Sequence, residues 1–198
     1  MASLDYSERI DKEKESRAAT QKAMENLGFE WDDLQRPARI GSMGQDVSDV
    51  SILCEHFPDA RIRMPNKPWI LVQVKSGDLI ELKSYRACFE LLRDFPGIVA
   101  WSEPTRNGKR FEGWLPFSAG PHNFVNQSEN SHRYYDGRIP VVAPRVGDMV
   151  VSGSGTPYTR ISRATPFKLL PEWYEAQVRL SNAKRELTML YGQNIDAE

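Results

Sequence analysis

Between Trp69 and Gly77 the chain reads WILVQVKSG, an apolar run long enough for one buried strand but carrying a glutamine and a lysine two residues apart. Side chains alternate across a strand, so Ile70, Val72 and Val74 share one face and Gln73 and Lys75 share the other. Any fold built on this strand must cover the aliphatic face and give an amide and an ammonium a common polar environment opposite it. A half-exposed edge strand would meet that demand with solvent alone. A site that uses both groups would meet it with chemistry, and the rest of the sequence decides which partners are at hand.

The stretch from about Asp5 to Leu27 is rich in Glu, Lys, Arg, Ala and Met, lacks Gly and Pro, and runs into Gly28. It reads as a helix with a glycine stop. Glu15, Ala19, Ala23 and Leu27 fall at four-residue steps on one face, which would turn Glu15 inward, with Glu13, aligned through Arg17, Thr20, Met24 and Leu27, as the competitor. DVSILC, from Asp49 to Cys54, alternates as a strand does, and FPDARIRMPNKP reads as a polar connection to the strand at Trp69. A helix around Tyr85 to Leu92 ends before Pro96, and GIVAWS forms a further strand. The Asn107-Gly108 pair then favours a tight hairpin leading into RFEGWLPFS. Arg106, Lys109 and Arg110 crowd that hairpin tip, where they are either solvated or placed to touch phosphate. Trp101 and Trp114, flanking the hairpin, read as core residues rather than platforms for bases.

The element order predicts an α/β fold in the sequence α-β-β-β-α-β, a mixed sheet flanked by helices. Residues 1–118 form this core, and residues 119–198 form a β-rich, loop-rich extension ending in a helix, the two making one continuous unit. In that last helix Trp173, Ala176, Leu180, Ala183, Leu187 and Leu190 keep alternating three- and four-residue steps. Such a seam packs either on its own domain or against a second copy.

No apolar run reaches the length of a membrane span, and the charged N-terminal stretch is followed by no apolar segment of a secretory signal. The two cysteines, Cys54 and Cys88, have no zinc-like spacing, and the three histidines are scattered. Reduced thiols in a cytoplasmic protein are therefore expected. The net charge of −1 advertises no polyanion partner, although bases outnumber acids from Arg36 to Lys75 and from Pro116 to Leu170.

Asp49 opens its strand some two dozen residues before Gln73, and a hairpin would bring the two to one end of a sheet. With Glu15 from the packed helix, two carboxylates and an amide oxygen could hold a hard divalent cation such as Mg²⁺. Lys75, on the face of Gln73, could orient an attacking water and offset charge developing on a phosphate.

These residues and their order resemble the PD-(D/E)xK nuclease superfamily, in particular its Q-x-K branch with Mrr-like restriction endonucleases. The helix ending ENLGFEW is also similar to that of archaeal-type Holliday junction resolvases. The resemblance spans about Glu13 to Phe117 and implies a restriction-endonuclease-like core. It also implies Asp49, Gln73 and Glu15 as ligands of Mg²⁺ (with Mn²⁺ able to substitute), and Lys75 as the catalytic lysine. Val47-Ser48 precede Asp49 where the family carries a proline, so Asp46 is the second candidate for the carboxylate. The expected function is Mg²⁺-dependent hydrolysis of DNA phosphodiester bonds, in duplex or branched DNA, by a chain able to form a homodimer through its C-terminal helix. The rival is a non-catalytic nucleic-acid-binding or assembly subunit of the same fold.

Overall fold

The computed structural model describes residues 6–34, 53, 56–76, 79–104, 110–119, 125–126, 133–136, 139–142, 145–146, 150–151, 155, 157–160 and 164–195. Helix α1 spans Tyr6–Asn26. Its end follows from Gly28, which takes the left-handed conformation at φ 87°. The Gly28 N–H donates to Glu25 O and the Phe29 N–H to Met24 O, the paired bonds of a Schellman cap. Phe29 and Met24 are both buried in one core cluster, so the cap is sealed by the apolar contact that usually accompanies it.

Five strands form the central sheet in the order β1-β2-β3-β5-β6: β1 Glu30–Asp33, β2 Ala60–Arg63, β3 Ile70–Lys75, β5 Gly97–Pro104 and β6 Arg110–Pro116. The first three make an antiparallel meander, β5 lies parallel to β3, and β6 returns antiparallel to β5. The parallel step requires a crossover, supplied by a helical segment: α2 (Leu82–Tyr85) runs directly into a π-helix over Arg86–Leu91. A short strand ahead of it, β4 (Leu79–Glu81), belongs to a separate three-stranded sheet and pairs with Pro157–Arg160. The fold is thus mixed α/β, with a five-stranded mixed sheet flanked by helices.

The sequence reading of the strand at Trp69 holds. Ile70 and Val72 are buried on one face beside Ala60, Ile62, Ile98, Ala100 and Trp114. Met24 of α1 packs there, as do Leu170, Trp173, Tyr174 and Ala176 of the C-terminal helix α3 (Leu170–Ile195). Trp114 and Trp173 rings meet at 5.0 Å, and Phe29 meets Tyr174 edge-on at 5.3 Å. The opposite face carries Val99, Trp101 and Leu115 under Cys88, Phe89 and Leu92. Trp101 and Trp114 are both fully buried, as core residues.

Three features differ from the sequence reading. FPDARIRMPNKP is not merely a connection, because Ala60–Arg63 within it forms β2 and pairs with β3. Its Arg61 and Arg63 are polar on the face that bonds to Asp32 and Glu30 of β1, which hid the alternation of Ala60 and Ile62. DVSILC was expected as a strand, but Leu53, its one described residue, has helical backbone. The remaining positions of that stretch, Asp49 included, lie outside the described residues.

The third difference is in α3. The start of its seam, Trp173 and Ala176, packs on the chain's own sheet, whereas Leu180, Leu187 and Leu190 are exposed. What seats the first half is a two-bond bridge: Trp114 and Thr165 exchange backbone N–H···O bonds of 2.9 Å, tying the entry of α3 to β6. Gly113 permits that approach, since its φ is 144° and a Cβ there would lie 2.6 Å from Thr165 O. Among the described residues no helix is long and apolar enough to cross a membrane.

Candidate active site

The carboxylate that meets Gln73 is Asp59. It stands directly before β2, with its N–H donating to Val72 O at 2.9 Å, so the register of β2 on β3 fixes its place. Its Oδ2 accepts a hydrogen bond from Gln73 Nε2 at 2.5 Å and another from the backbone N–H of Val74 at 2.8 Å. A carboxylate only accepts, so the amide nitrogen faces it and Gln73 Oε1 is turned away. Among the described residues no donor reaches that buried oxygen. Asp59 is 5 % exposed and Gln73 2 %.

Lys75 follows on the face of Gln73. Its Nζ donates to Ser84 Oγ of α2 at 2.9 Å, and Ser84 Oγ lies 2.8 Å from His56 Nδ1. Behind it, burial pushes the Cys88 thiol up to about 11, with the Lys75 ammonium acting to lower it and Asp59 to raise it.

Helix α1 closes the other side. Ser16 Oγ donates to Lys75 O at 3.1 Å, and Arg17 Nη2 donates to Asp59 O at 2.9 Å and to Asp33 Oδ1 at 2.7 Å. The Trp31 indole N–H and the Arg17 guanidinium hold the Asp33 carboxyl below its usual range. Glu13 lies one turn ahead of Ser16 and Arg17, on the same helix face. A cleft of about 250 Å³ opens there, lined by Glu13, Lys14, Arg17, Asp59 and Val74.

Of the residues singled out from sequence, Gln73 and Lys75 are at the site, while Asp49 and Asp46 lie outside the described residues. Glu15 is exposed and does not line the cleft; the competitor Glu13 does. The inward line of α1 runs through Ser16, Thr20 and Met24, which are buried, and not through Ala19 and Ala23. The physical reason is that small polar side chains allow close approach to the strand ends, with Ser16 finding a strand carbonyl there.

The sequence carries a signal for Asp59 as well. Pro58 precedes it, supplying the proline that Val47-Ser48 do not, and the hairpin from Asp59 to Gln73 is short. Ser84 and His56 carry no comparable signal. Among the described residues no three His, Cys, Asp or Glu side chains cluster as a metal cage. The donor set is instead two carboxylates and an amide oxygen. A buried acceptor left without a donor costs about 1–3 kcal/mol, and a hard cation would satisfy it. Asp59 and Glu13, which both line the cleft, are the carboxylates open to such an ion; Gln73 presents Nε2 to Asp59, so its Oε1 would join them only with the amide turned over.

No protein-family model matches the chain, and neither does any curated protein or any solved structure.

Proposed function

We propose that this chain is a metal-dependent endonuclease of the PD-(D/E)xK type, built on a restriction-endonuclease-like core, that hydrolyses DNA phosphodiester bonds. The observation that carries the reading is the contact of Asp59 with Gln73, two residues before Lys75, with Asp59 also bordering the cleft to which α1 brings Glu13. Pro58-Asp59 and Gln73-Val74-Lys75 then correspond to the family's Pro-Asp and Q-x-K elements. Asp59 takes the role that the sequence reading gave to Asp49, and Glu13 the role given to Glu15.

A bound Mg²⁺ or Mn²⁺ would supply Lewis-acid polarisation of the phosphate and a more acidic water. Asp59 and Glu13 would hold it, joined by Gln73 with its amide turned so that Oε1 faces the ion. Lys75 would orient the attacking water and offset charge on the phosphate oxygens. Lys14, which lines the cleft, would contact the DNA backbone, while Arg17 is held by Asp33 and the Asp59 carbonyl. Arg61 and Arg63 would not, since both are paired with acids of β1 and sit over the Trp69 ring. Cutting both strands needs two such sites, and the exposed distal half of α3 offers the surface for a twofold dimer.

The test is incubation with supercoiled plasmid, linear duplex and a four-way junction, in Mg²⁺, in Mn²⁺ and in chelator. Cleavage that requires the cation and disappears in Lys75→Ala is expected. DNA binding without cleavage would favour the non-catalytic subunit, and neither binding nor cleavage of any substrate would refute the reading.

A further inference from the structure

We infer that Ser84 and His56 are positioning residues that hold the Lys75 ammonium in one place; the inference rests on the reading of Lys75 as the catalytic lysine. A lysine has a flexible four-carbon stem, and an unrestrained ammonium samples many positions. Here three separate elements converge on it: β3 carries Lys75, α2 carries Ser84, and the loop before Asp59 carries His56. Ser84 is 2 % exposed and His56 is buried, so this is an interior contact rather than a surface one.

The direction of the first hydrogen bond follows from the donor inventory. An ammonium can only donate, so Ser84 Oγ accepts from Lys75. The Ser84 hydroxyl hydrogen, enclosed by protein, then needs an acceptor, and His56 Nδ1 is 2.8 Å away. The imidazole tautomer decides which of Ser84 and His56 donates, and in either tautomer the contact ties the Ser84 hydroxyl to His56. His56 fixes the rotor of Ser84, and Ser84 fixes Nζ of Lys75.

A Ser–His pair at this distance also describes a nucleophile and its base. Ser84 does not fit that role. It lies on the buried side of α2 with almost no exposed surface, and its oxygen already accepts from a cation, which lowers its nucleophilicity. No substrate atom could reach it without displacing the helix.

The experiment has two arms. In the first, Ser84→Ala should lower kcat about 10- to 100-fold, the range expected for a misplaced catalytic group, with KM for DNA little changed. Ser84→Thr, which keeps a hydroxyl, should restore most of the rate. His56→Leu should fall in the same direction as Ser84→Ala, and His56→Asn, which keeps a polar atom near the Nδ1 position, should recover part of it. In the second arm the folded wild-type chain is acylated with an N-hydroxysuccinimide ester and the modified lysines are located by mass spectrometry. Lys75 should react several-fold more slowly than Lys184 on the exposed half of α3, and Ser84→Ala should speed it up.

Cleavage that requires Lys75 but is indifferent to Ser84 overturns this inference and leaves the nuclease reading intact. Equal acylation of Lys75 and Lys184 in the wild type also overturns it, whatever the activity. A chain whose Lys75→Ala variant cleaves at the wild-type rate loses the parent reading, and the positioning role falls with it.

Discussion

Replacing Asp59 in two ways separates its structural role from its chemical one. Its Oδ2 accepts from Gln73 Nε2 at 2.5 Å and from Val74 N–H at 2.8 Å, in a site only 5 % exposed. Asp59→Ala removes the acceptor from both donors. Each buried donor left without a partner costs about 1–3 kcal/mol. Gln73 Nε2 retains Val74 O at 3.3 Å, so its loss falls at the low end of that range. Losing a buried charge returns part of the cost as relieved desolvation. The net expectation is a destabilisation of about 2–4 kcal/mol, which for a chain of this size lowers the midpoint of thermal unfolding by roughly 5–15 °C.

Asp59→Asn keeps an oxygen in the acceptor position and should stay within about 1 kcal/mol of the wild type. It removes the negative charge, however, and cation-dependent cleavage should fall by at least about 100-fold. The assays are circular dichroism melts in chelator and plasmid nicking in Mg²⁺, with Asp49→Asn run alongside. An unchanged melt for Asp59→Ala would mean that the two hydrogen bonds are absent. Wild-type cutting by Asp59→Asn would remove Asp59 from the site, and a loss confined to Asp49→Asn would return the ligand role to Asp49.

Three further outcomes follow from the same geometry. Glu13→Gln should weaken metal-dependent cleavage while Glu15→Gln leaves it unchanged, because Glu13 lines the cleft and Glu15 does not; the reverse order in a nicking assay would restore the sequence assignment. Cys88 should resist alkylation at pH 8 in the folded chain and react once unfolded, as located by mass spectrometry. Its thiol is raised from 9.0 to about 11 by burial, so the stability it contributes is complete below about pH 9 and is lost as pH climbs towards 11, which denaturation at graded pH would register. In α3, Trp173→Ala should cost about 3–5 kcal/mol, whereas Leu187→Asp with Leu190→Asp should change monomer stability by no more than about 0.5 kcal/mol each. If the distal half joins two copies, light scattering should show the wild type at twice the mass of the double variant; equal masses would remove the dimer.

How much of this could be read from the sequence varies by element, for identifiable reasons. Composition and a glycine sufficed for α1 and its end, because propensity and the left-handed cap are local properties. Two-residue alternation sufficed for β3, since it sets Ile70, Val72 and Val74 on one face and Gln73 and Lys75 side by side on the other. The bulk and setting of Trp101 and Trp114 sufficed to call for the core. Beyond that reach lay every choice between equals. Glu13 and Glu15 each head a stripe of the same helix, and only the docking of α1 through Ser16 on the end of β3 puts Glu13 at the border of the cleft. Asp59 precedes β-like residues just as Asp49 does, and what brings Asp59 against Gln73 is the pairing of Ala60 with Val72. The seam of α3 is continuous in sequence, yet only its first turns meet the sheet, because the Trp114–Thr165 bridge fixes where the helix begins and its length carries the rest beyond the core. Periodicity tells which residues share a face; register and docking, which are set by contacts between distant parts of the chain, decide which face meets what.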